Sequence, residues 1–158
     1  LIVGTGGAAR AVGFNLALSG ARTVLLFDLD RVKAEKLGND LRNNTAARIA
    51  VIDQKELKEY AQVSECIINA TPLGLKPGDP LPIQRHVIRK EQLICDLVYN
   101  PLRTPLLKAA RSVGAATLPG IGMLLYQGVI AFEIWTREKA PVSVMKKALT
   151  GQIVRRGK

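Results

Sequence analysis

The chain opens with the stretch that decides its fold, Leu1-Ile2-Val3-Gly4-Thr5-Gly6-Gly7-Ala8-Ala9-Arg10-Ala11. A short apolar run leads into a glycine-rich turn, and an alanine-rich, helix-favouring segment follows. This order is typical of the phosphate-binding turn of dinucleotide-binding folds, with Ala9 in the position of the third glycine. We therefore predict a pyrophosphate site at the start of the first helix, formed by Gly4, Thr5, Gly6, Gly7 and Ala8.

Apolar runs and helical patterns alternate along the rest of the chain, which predicts an α/β fold, Rossmann-type and doubly wound. Strands are predicted at residues 1–3, 23–27, 48–52, 66–70, 92–98 and 115–118. Helices are predicted near residues 8–19, 31–43, 54–62, 105–113, 124–135 and 143–149. We expect one domain over residues 1–158, with six mainly parallel strands in the order 3-2-1-4-5-6 and helices on both faces.

Several helix starts carry their own sequence signals. Asp30 is predicted to cap the second helix, and Asp53 with Glu56 resembles a capping box for the third. Thr104-Pro105 places a cap and a first-turn proline before the fourth helix. A long loop rich in proline, residues 72–91, follows the fourth strand, at the edge where such sheets bind ligands.

Composition and charge limit the possible classes of function. Hydrophobic residues make up 47% and charged residues 23% of the chain, which is ordinary for a globular protein. The sequence shows no signal peptide and no membrane-spanning run, so we expect a cytoplasmic protein without a membrane partner. Because the chain starts on Leu1, inside a predicted strand, we expect it to be a piece of a longer protein.

The net charge is +10, of which the last 22 residues contribute +6. Neither interleaved aromatic residues nor a recognition motif accompanies these charges, so we expect no nucleic-acid partner. A solvated basic tail that attracts anionic ligands is the simpler interpretation.

The cysteines and the single histidine predict neither a metal site nor histidine-based catalysis. Cys66 and Cys95 fall in apolar runs and are expected to be buried, reduced thiols. His86 lies in the proline-rich loop, where a surface position is expected, and no Cys/His cluster has metal-ligand spacing.

The end of the second strand bears on the choice of dinucleotide. Asp28 stands 22 residues after Gly6, close to the spacing of about 20 that is typical of an acid binding the adenosine ribose. A carboxylate there opposes a 2′-phosphate, so NAD is favoured over NADP. Arg31 and Lys33 stand nearby and could partly accommodate a phosphate, which keeps NADP as the alternative.

Four separated motifs together resemble shikimate dehydrogenases and their quinate/shikimate relatives. They are GTGGAARA at residues 4–11, INATPLG at 68–74, DLVYNP at 96–101 with TPLL at 104–107, and GIGMLLYQG at 120–128. The first motif is shared by many dinucleotide-binding proteins, whereas the last two are specific to this family. The resemblance covers nearly the whole chain.

The resemblance implies the C-terminal NAD(P)-binding domain of a two-domain enzyme that interconverts 3-dehydroshikimate and shikimate by hydride transfer. The family's catalytic Lys–Asp pair belongs to an N-terminal domain that this chain lacks, so we expect no catalytic acid or base here and no activity of the isolated chain. A dinucleotide-binding module without catalysis remains the alternative function. The choice between shikimate and quinate, and the oligomeric state, remain open.

The resemblance also implies roles for individual residues. Cofactor contacts are implied for the adenosine-ribose segment Asp28, Leu29, Asp30 and Arg31, and on the nicotinamide side for Thr71, Leu97, Gly120 and Met123. NADP-dependent members usually read Asn-Arg-Thr where this chain has Asp28-Leu29-Asp30, which again favours NAD. Tyr99 and Gln127 match positions that reach the small-molecule substrate, although spacing alone favours packing roles for both and for Met123.

Overall fold

A computed structural model describes the backbone of residues 1–156 and the side chains up to residue 151. Its six strands are all parallel and lie in the order β3-β2-β1-β4-β5-β6, which confirms the predicted order. The strands are β1 (Ile2–Val3), β2 (Thr23–Phe27), β3 (Arg48–Val51), β4 (Cys66–Asn69), β5 (Leu93–Asp96) and β6 (Ala116–Pro119). Of the basic tail, Lys158 lies outside the described residues, as do the side chains of Arg155 and Arg156.

Helices connect successive strands, as expected for parallel strands that need crossover connections. They are α1 (Gly7–Leu18), α2 (Arg31–Asn44), α3 (Leu57–Val63), α4 (Pro105–Ser112), α5 (Ile121–Thr136) and α6 (Val142–Arg156), with a 3-10 turn at Arg85–Val87 in the long loop. None of the helices within residues 1–156 has the length and apolar character needed to cross a membrane.

Two apolar cores lie on opposite faces of the sheet, because neighbouring residues of a strand point to opposite sides. Ile2 belongs to the core that also contains residues of α1 and α2. Val3 belongs to the other core, with residues of α3 and α4. Since both faces are buried at the centre of the sheet, inner strands such as β2 and β4 are nearly continuous apolar runs, whereas the edge strands β3 and β6 are less buried.

Strand β1 holds the two halves of the sheet together. It pairs with β2 on one side and with β4 on the other. The chain order reverses between β1 and β4, and sheets of this type bind ligands outside the carboxyl ends of the strands at such a point. The sequence motifs that follow β1, β2, β4 and β5 therefore meet at one edge of the sheet.

The predicted caps of α2 and α4 are confirmed, whereas the capping box of α3 is only half formed. The carboxylate of Asp30 accepts a hydrogen bond from the Lys33 N–H (3.2 Å), and the Thr104 hydroxyl accepts one from the Leu107 N–H (3.2 Å). Glu56 accepts from the Asp53 N–H at 2.8 Å, but the Asp53 carboxylate pairs with an arginine instead of capping the helix. Accordingly α3 begins at Leu57, later than predicted.

The two C-terminal helices were predicted too short. Helix α5 begins at Ile121 rather than at residue 124, because Gly120 adopts helical backbone and its carbonyl accepts from the Leu124 N–H (3.2 Å). A side chain at position 120 would place its Cβ 2.3 Å from the Leu97 carbonyl oxygen, so glycine here allows close approach to β5 instead of breaking the helix. Helix α6 continues past residue 149 to Arg156.

Candidate functional site

The strands β2, β4 and β5 end in the same local structure. The first side chain after β2 and the last ones of β4 and β5, those of Asp28, Asn69 and Asp96, each accept a hydrogen bond at 3.0 Å from the backbone N–H two residues further on. Such Asx turns compete with the backbone hydrogen bonds between neighbouring strands and therefore terminate the strand. For this reason β4 and β5 end earlier than predicted, and polar groups gather at the ligand-binding edge.

The glycine turn has the geometry that a pyrophosphate site requires. Gly4 has φ +96°, and its Cα packs closely against the residue that follows the neighbouring strand β4. A Cβ at this position would lie 2.9 Å from the Ala70 carbonyl. A Cβ on Gly6 or Gly7 would instead meet no protein atom within 4 Å. Helix α1 carries no side-chain cap at Gly6, so its first N–H groups remain free to bind an anion.

Asp28 is fixed directly to this turn. Its Oδ2 accepts hydrogen bonds from the Thr5 N–H (2.8 Å) and the Thr5 hydroxyl (2.7 Å). Partial burial raises the pKa of the Asp28 carboxyl, but the hydrogen bonds from Asp30 and Thr5 outweigh that effect and leave the pKa below its ordinary value. A carboxylate is therefore held beside the glycine turn, as the spacing between Gly6 and Asp28 predicted.

The two cations next to Asp28 are both paired with acids. Arg31 contacts the carboxylates of Asp53 and Glu35, and Lys33 contacts the Asp30 carboxylate at 3.0 Å. Hydrogen bonding to Asp30 raises the pKa of Lys33. These pairs are exposed and individually weak, but they compete with a bound phosphate for both cations. Leu29 projects into solvent with 83% of its surface exposed.

A shallow pocket of about 210 Å³ adjoins the glycine turn. It lies where α1 and α2 face each other, and Asp40 is its acidic member, paired with Arg10. Its basic members are Arg10, Lys33 and Lys36, and Thr5, Gly6, Gly7 and Leu37 complete the lining. Because Arg10 and Lys33 are each paired with a carboxylate, Lys36 is the lining cation that adds net positive charge for an anionic ligand at the turn.

The residues expected on the nicotinamide side follow the carboxyl ends of β4, β5 and β6. Thr71 comes two residues after β4, and its Cγ2 would lie 2.9 Å from a Cβ on Gly4, so it borders the glycine turn. Leu97 directly follows β5 and packs against Gly120 at the start of α5. Met123 lies in the first turn of α5 and is half-buried.

The expected substrate residues are accessible. Tyr99 follows β5 and has 41% of its surface exposed, and Gln127 is exposed on the second turn of α5. Neither side chain belongs to the buried cores of the described part of the chain. Their roles toward a substrate stay a prediction.

Three polar residues at this edge were not predicted from the sequence as members of the site. Asn69, Asp96 and Thr104 are completely buried, and they hydrogen-bond to one another. All three stand in the motifs at residues 68–74, 96–101 and 104–107, but nothing in the sequence indicates that they contact one another. The other expectations are mostly met: His86 is exposed and Cys95 is buried, but Cys66 is only half-buried.

Comparison with known proteins shows which family this chain resembles. The shikimate 5′-dehydrogenase C-terminal domain family matches residues 120–150. The shikimate dehydrogenase (NADP(+)) of Desulforamulus reducens is 40% identical over 159 residues, which cover 98% of this chain and 55% of that protein. The expected resemblance to the shikimate dehydrogenase family is confirmed.

Solved structures of this family agree with the fold. Shikimate 5-dehydrogenase from Listeria monocytogenes, in complex with shikimate and NAD, is 35% identical and superposes with a TM-score of 0.85, covering 94% of this chain and 54% of that one. Quinate dehydrogenase from Corynebacterium glutamicum, in complex with NAD, is 30% identical with a TM-score of 0.90, covering 95% and 54%. This chain thus spans about half the length of the shikimate dehydrogenase relatives it matches.

Proposed function

We propose that this chain is the nicotinamide-dinucleotide-binding part of a shikimate or quinate/shikimate dehydrogenase. The reaction would be hydride transfer between 3-dehydroshikimate and shikimate, a step of aromatic amino-acid biosynthesis. The observation that carries the proposal is the hydrogen bonding of Asp28 to Thr5, which joins a ribose-binding acid to an uncapped glycine turn. The similarity to shikimate dehydrogenases over nearly the whole chain supports the substrate class.

The bound dinucleotide would lie across the carboxyl ends of the strands, with its pyrophosphate on Gly6 and Gly7. Its adenosine ribose would face Asp28, and its nicotinamide, which supplies the hydride acceptor, would lie near Thr71 and Leu97. The N–H groups of α1 would bind the pyrophosphate charge. No residue of the described part is assigned a proton-transfer role.

For the substrate, we propose that Tyr99 and Gln127 contact its hydroxyl and carboxylate groups. Both side chains are exposed and follow the carboxyl ends of neighbouring strands, Tyr99 after β5 and Gln127 on the helix after β6. Their donors and acceptors are therefore free to face a ligand that lies next to the nicotinamide. The rest of the substrate pocket belongs to the half of the relatives that this chain does not match.

We further propose that NAD is preferred to NADP. Asp28 Oδ1 can still accept a hydrogen bond from a ribose hydroxyl, whereas a 2′-phosphate would meet the negative charge of this carboxylate at close range. The pairing of Arg31 with Asp53 and of Lys33 with Asp30 reduces the positive charge available to compensate. A hydrogen bond to a charged group contributes about 1.5–3 kcal/mol, so we expect NAD to bind at least about tenfold more tightly.

Calorimetric titration of the chain with NAD and with NADP tests both proposals. Combining Asp28→Asn with Leu29→Arg should narrow or invert the preference, because the exposed position 29 can present a guanidinium fork to the phosphate. Leu29→Arg alone is the matched control, since it adds the cation while keeping the carboxylate. Equal affinities in the unaltered chain would refute the preference, and binding of neither dinucleotide would refute the function.

A further inference from the structure

A buried hydrogen-bond network joins β4, β5 and α4 beneath the nicotinamide side. The Asn69 amide donates to Asp96 Oδ1 at 2.9 Å, and the Thr104 hydroxyl donates to Asp96 Oδ2 at 2.5 Å. All three residues are 0% exposed. Asn69 and Asp96 face each other because they are paired in the register of the two parallel strands.

This network extends directly to residues of the candidate site. Asn69 Oδ1 accepts hydrogen bonds from the Thr71 N–H (3.0 Å) and the Thr71 hydroxyl (2.6 Å). Asp96 Oδ1 accepts from the Val98 N–H at 3.0 Å, which fixes the backbone immediately before Tyr99. The orientation of Thr71 and the path of the chain into Tyr99 therefore depend on the same carboxylate.

Burying a carboxylate between two strands costs desolvation free energy. Desolvation raises the pKa of Asp96, while hydrogen bonds from Thr104, Val98 and Asn69 act in the opposite direction. Well-packed apolar residues of similar volume often stabilise a protein at least as well as buried charges do. What a carboxylate adds is direction, because its two oxygens accept from three separate segments and fix their relative placement.

We propose that Asn69, Asp96 and Thr104 are positioning residues for the nicotinamide half of the dinucleotide. They act through Thr71 and through the Val98–Tyr99 backbone, and they make no contact with the adenosine half, which lies over β2 on the other side of β1. This inference rests on the proposed function, and it adds three residues to which that function assigns no role. It predicts that substitutions in the network weaken binding of the nicotinamide half of the dinucleotide and leave binding of the adenosine half unchanged.

The test compares two ligands on the same variants, ADP for the adenosine and pyrophosphate half and NADH for the whole dinucleotide. Thr104→Val removes the hydroxyl with little change of shape, and Thr104→Ser restores it. We expect Thr104→Val to weaken NADH binding about tenfold while ADP affinity stays within about twofold, since one or two net hydrogen bonds are lost. Thr104→Ser should recover the NADH affinity, and the fluorescence of bound NADH should follow the same pattern.

Thr45→Val is the matched control, because Thr45 is hydrogen-bonded at the end of α2, away from the network. Thr104 also caps α4, so Thr104→Val is expected to lower the melting temperature, but lost stability alone would weaken both ligands alike. Asp96→Asn is the second variant and should show the same selective loss. Equal weakening of ADP and NADH, or no weakening, would overturn the inference. If the unaltered chain binds neither ligand, the proposed function fails as well.

Discussion

Two glycines of the same turn should separate folding from binding. Gly4 has φ +96° and lies against the Ala70 backbone, so Gly4→Ala strains the chain in two ways. Left-handed backbone costs a residue with a Cβ about 1–2 kcal/mol. A Cβ 2.9 Å from the Ala70 carbonyl is too close, so the backbone at the end of the neighbouring strand β4 must shift. This shift adds about 1–3 kcal/mol to the loss of stability.

Gly6→Ala is the matched substitution without either cost. Gly6 has φ −73°, which alanine adopts freely, and its Cβ would meet no protein atom within 4 Å. Gly6 is the N-cap of α1, where alanine is less favourable than glycine, while alanine also restricts the unfolded chain. We therefore expect the free energy of unfolding of the Gly6→Ala variant to stay within about 1 kcal/mol of that of the unaltered chain. The new methyl group projects into the space where the pyrophosphate must approach the backbone, so dinucleotide affinity should fall at least about tenfold.

Thermal unfolding and calorimetric titration with ADP measure the two effects. A loss of about 3 kcal/mol should lower the melting temperature of the Gly4→Ala variant by about 6–12 °C. The Gly6→Ala variant should have a melting temperature within about 4 °C of that of the unaltered chain, and it should bind ADP weakly. The reasoning is refuted if Gly6→Ala is destabilised as much as Gly4→Ala, or if it binds ADP with unchanged affinity.

Three further predictions concern the thiols, the start of α5 and turnover. The hydrogen bond between the two thiols lowers the pKa of Cys66, while the same bond, together with burial, raises the pKa of Cys95. Iodoacetamide should thus alkylate Cys66 first, faster as the pH rises and its thiolate forms, with Cys95 reacting only on unfolding, as peptide mass mapping would show. Gly120→Ala should lose about 1–3 kcal/mol in thermal unfolding, because its Cβ would lie 2.3 Å from the Leu97 carbonyl oxygen. The 158 residues on their own should bind NAD without oxidising shikimate, and NADH formation above the buffer blank would contradict this.

The sequence was sufficient to predict the features that depend on local pattern. The glycine turn, the strand order and the position of Asp28 beside that turn all follow from the spacing of apolar runs and turn residues, and the structure confirms them. The predicted start of α5 was wrong, because the helix was placed after residues 120–123, which begin with Gly120. Its actual constraint is the backbone of Leu97, which is distant in sequence and becomes visible only once β5 and β6 are paired.

Side-chain contacts between residues that are distant in the sequence could not be predicted for the same reason. Asn69 and Asp96 are 27 residues apart, and their contact depends on strand register to within one residue. The pairing of Arg31 with Asp53 was likewise not foreseen, although it decides how much charge is left for a phosphate. Side-chain pairing on a surface depends on rotamers, which spacing does not specify.

The shortness of β1 has a consequence for how the sheet opens. Within the described sheet, the three strands on either side of the β1–β4 boundary are joined by a few hydrogen bonds, among them those from the Ile68 N–H to the Leu1 carbonyl (2.9 Å) and from the Ala70 N–H to the Val3 carbonyl (2.7 Å). Strand β1 pairs with β2 over two residues as well, so both edges of β1 are the least extensively paired in the sheet, and we expect partial unfolding of the sheet to begin at β1. A dinucleotide bound across the end of β1 would stabilise the pairing of β1 with its neighbours. The amide protons of Ile68 and Ala70 would therefore exchange with deuterated water more slowly as ligand is added.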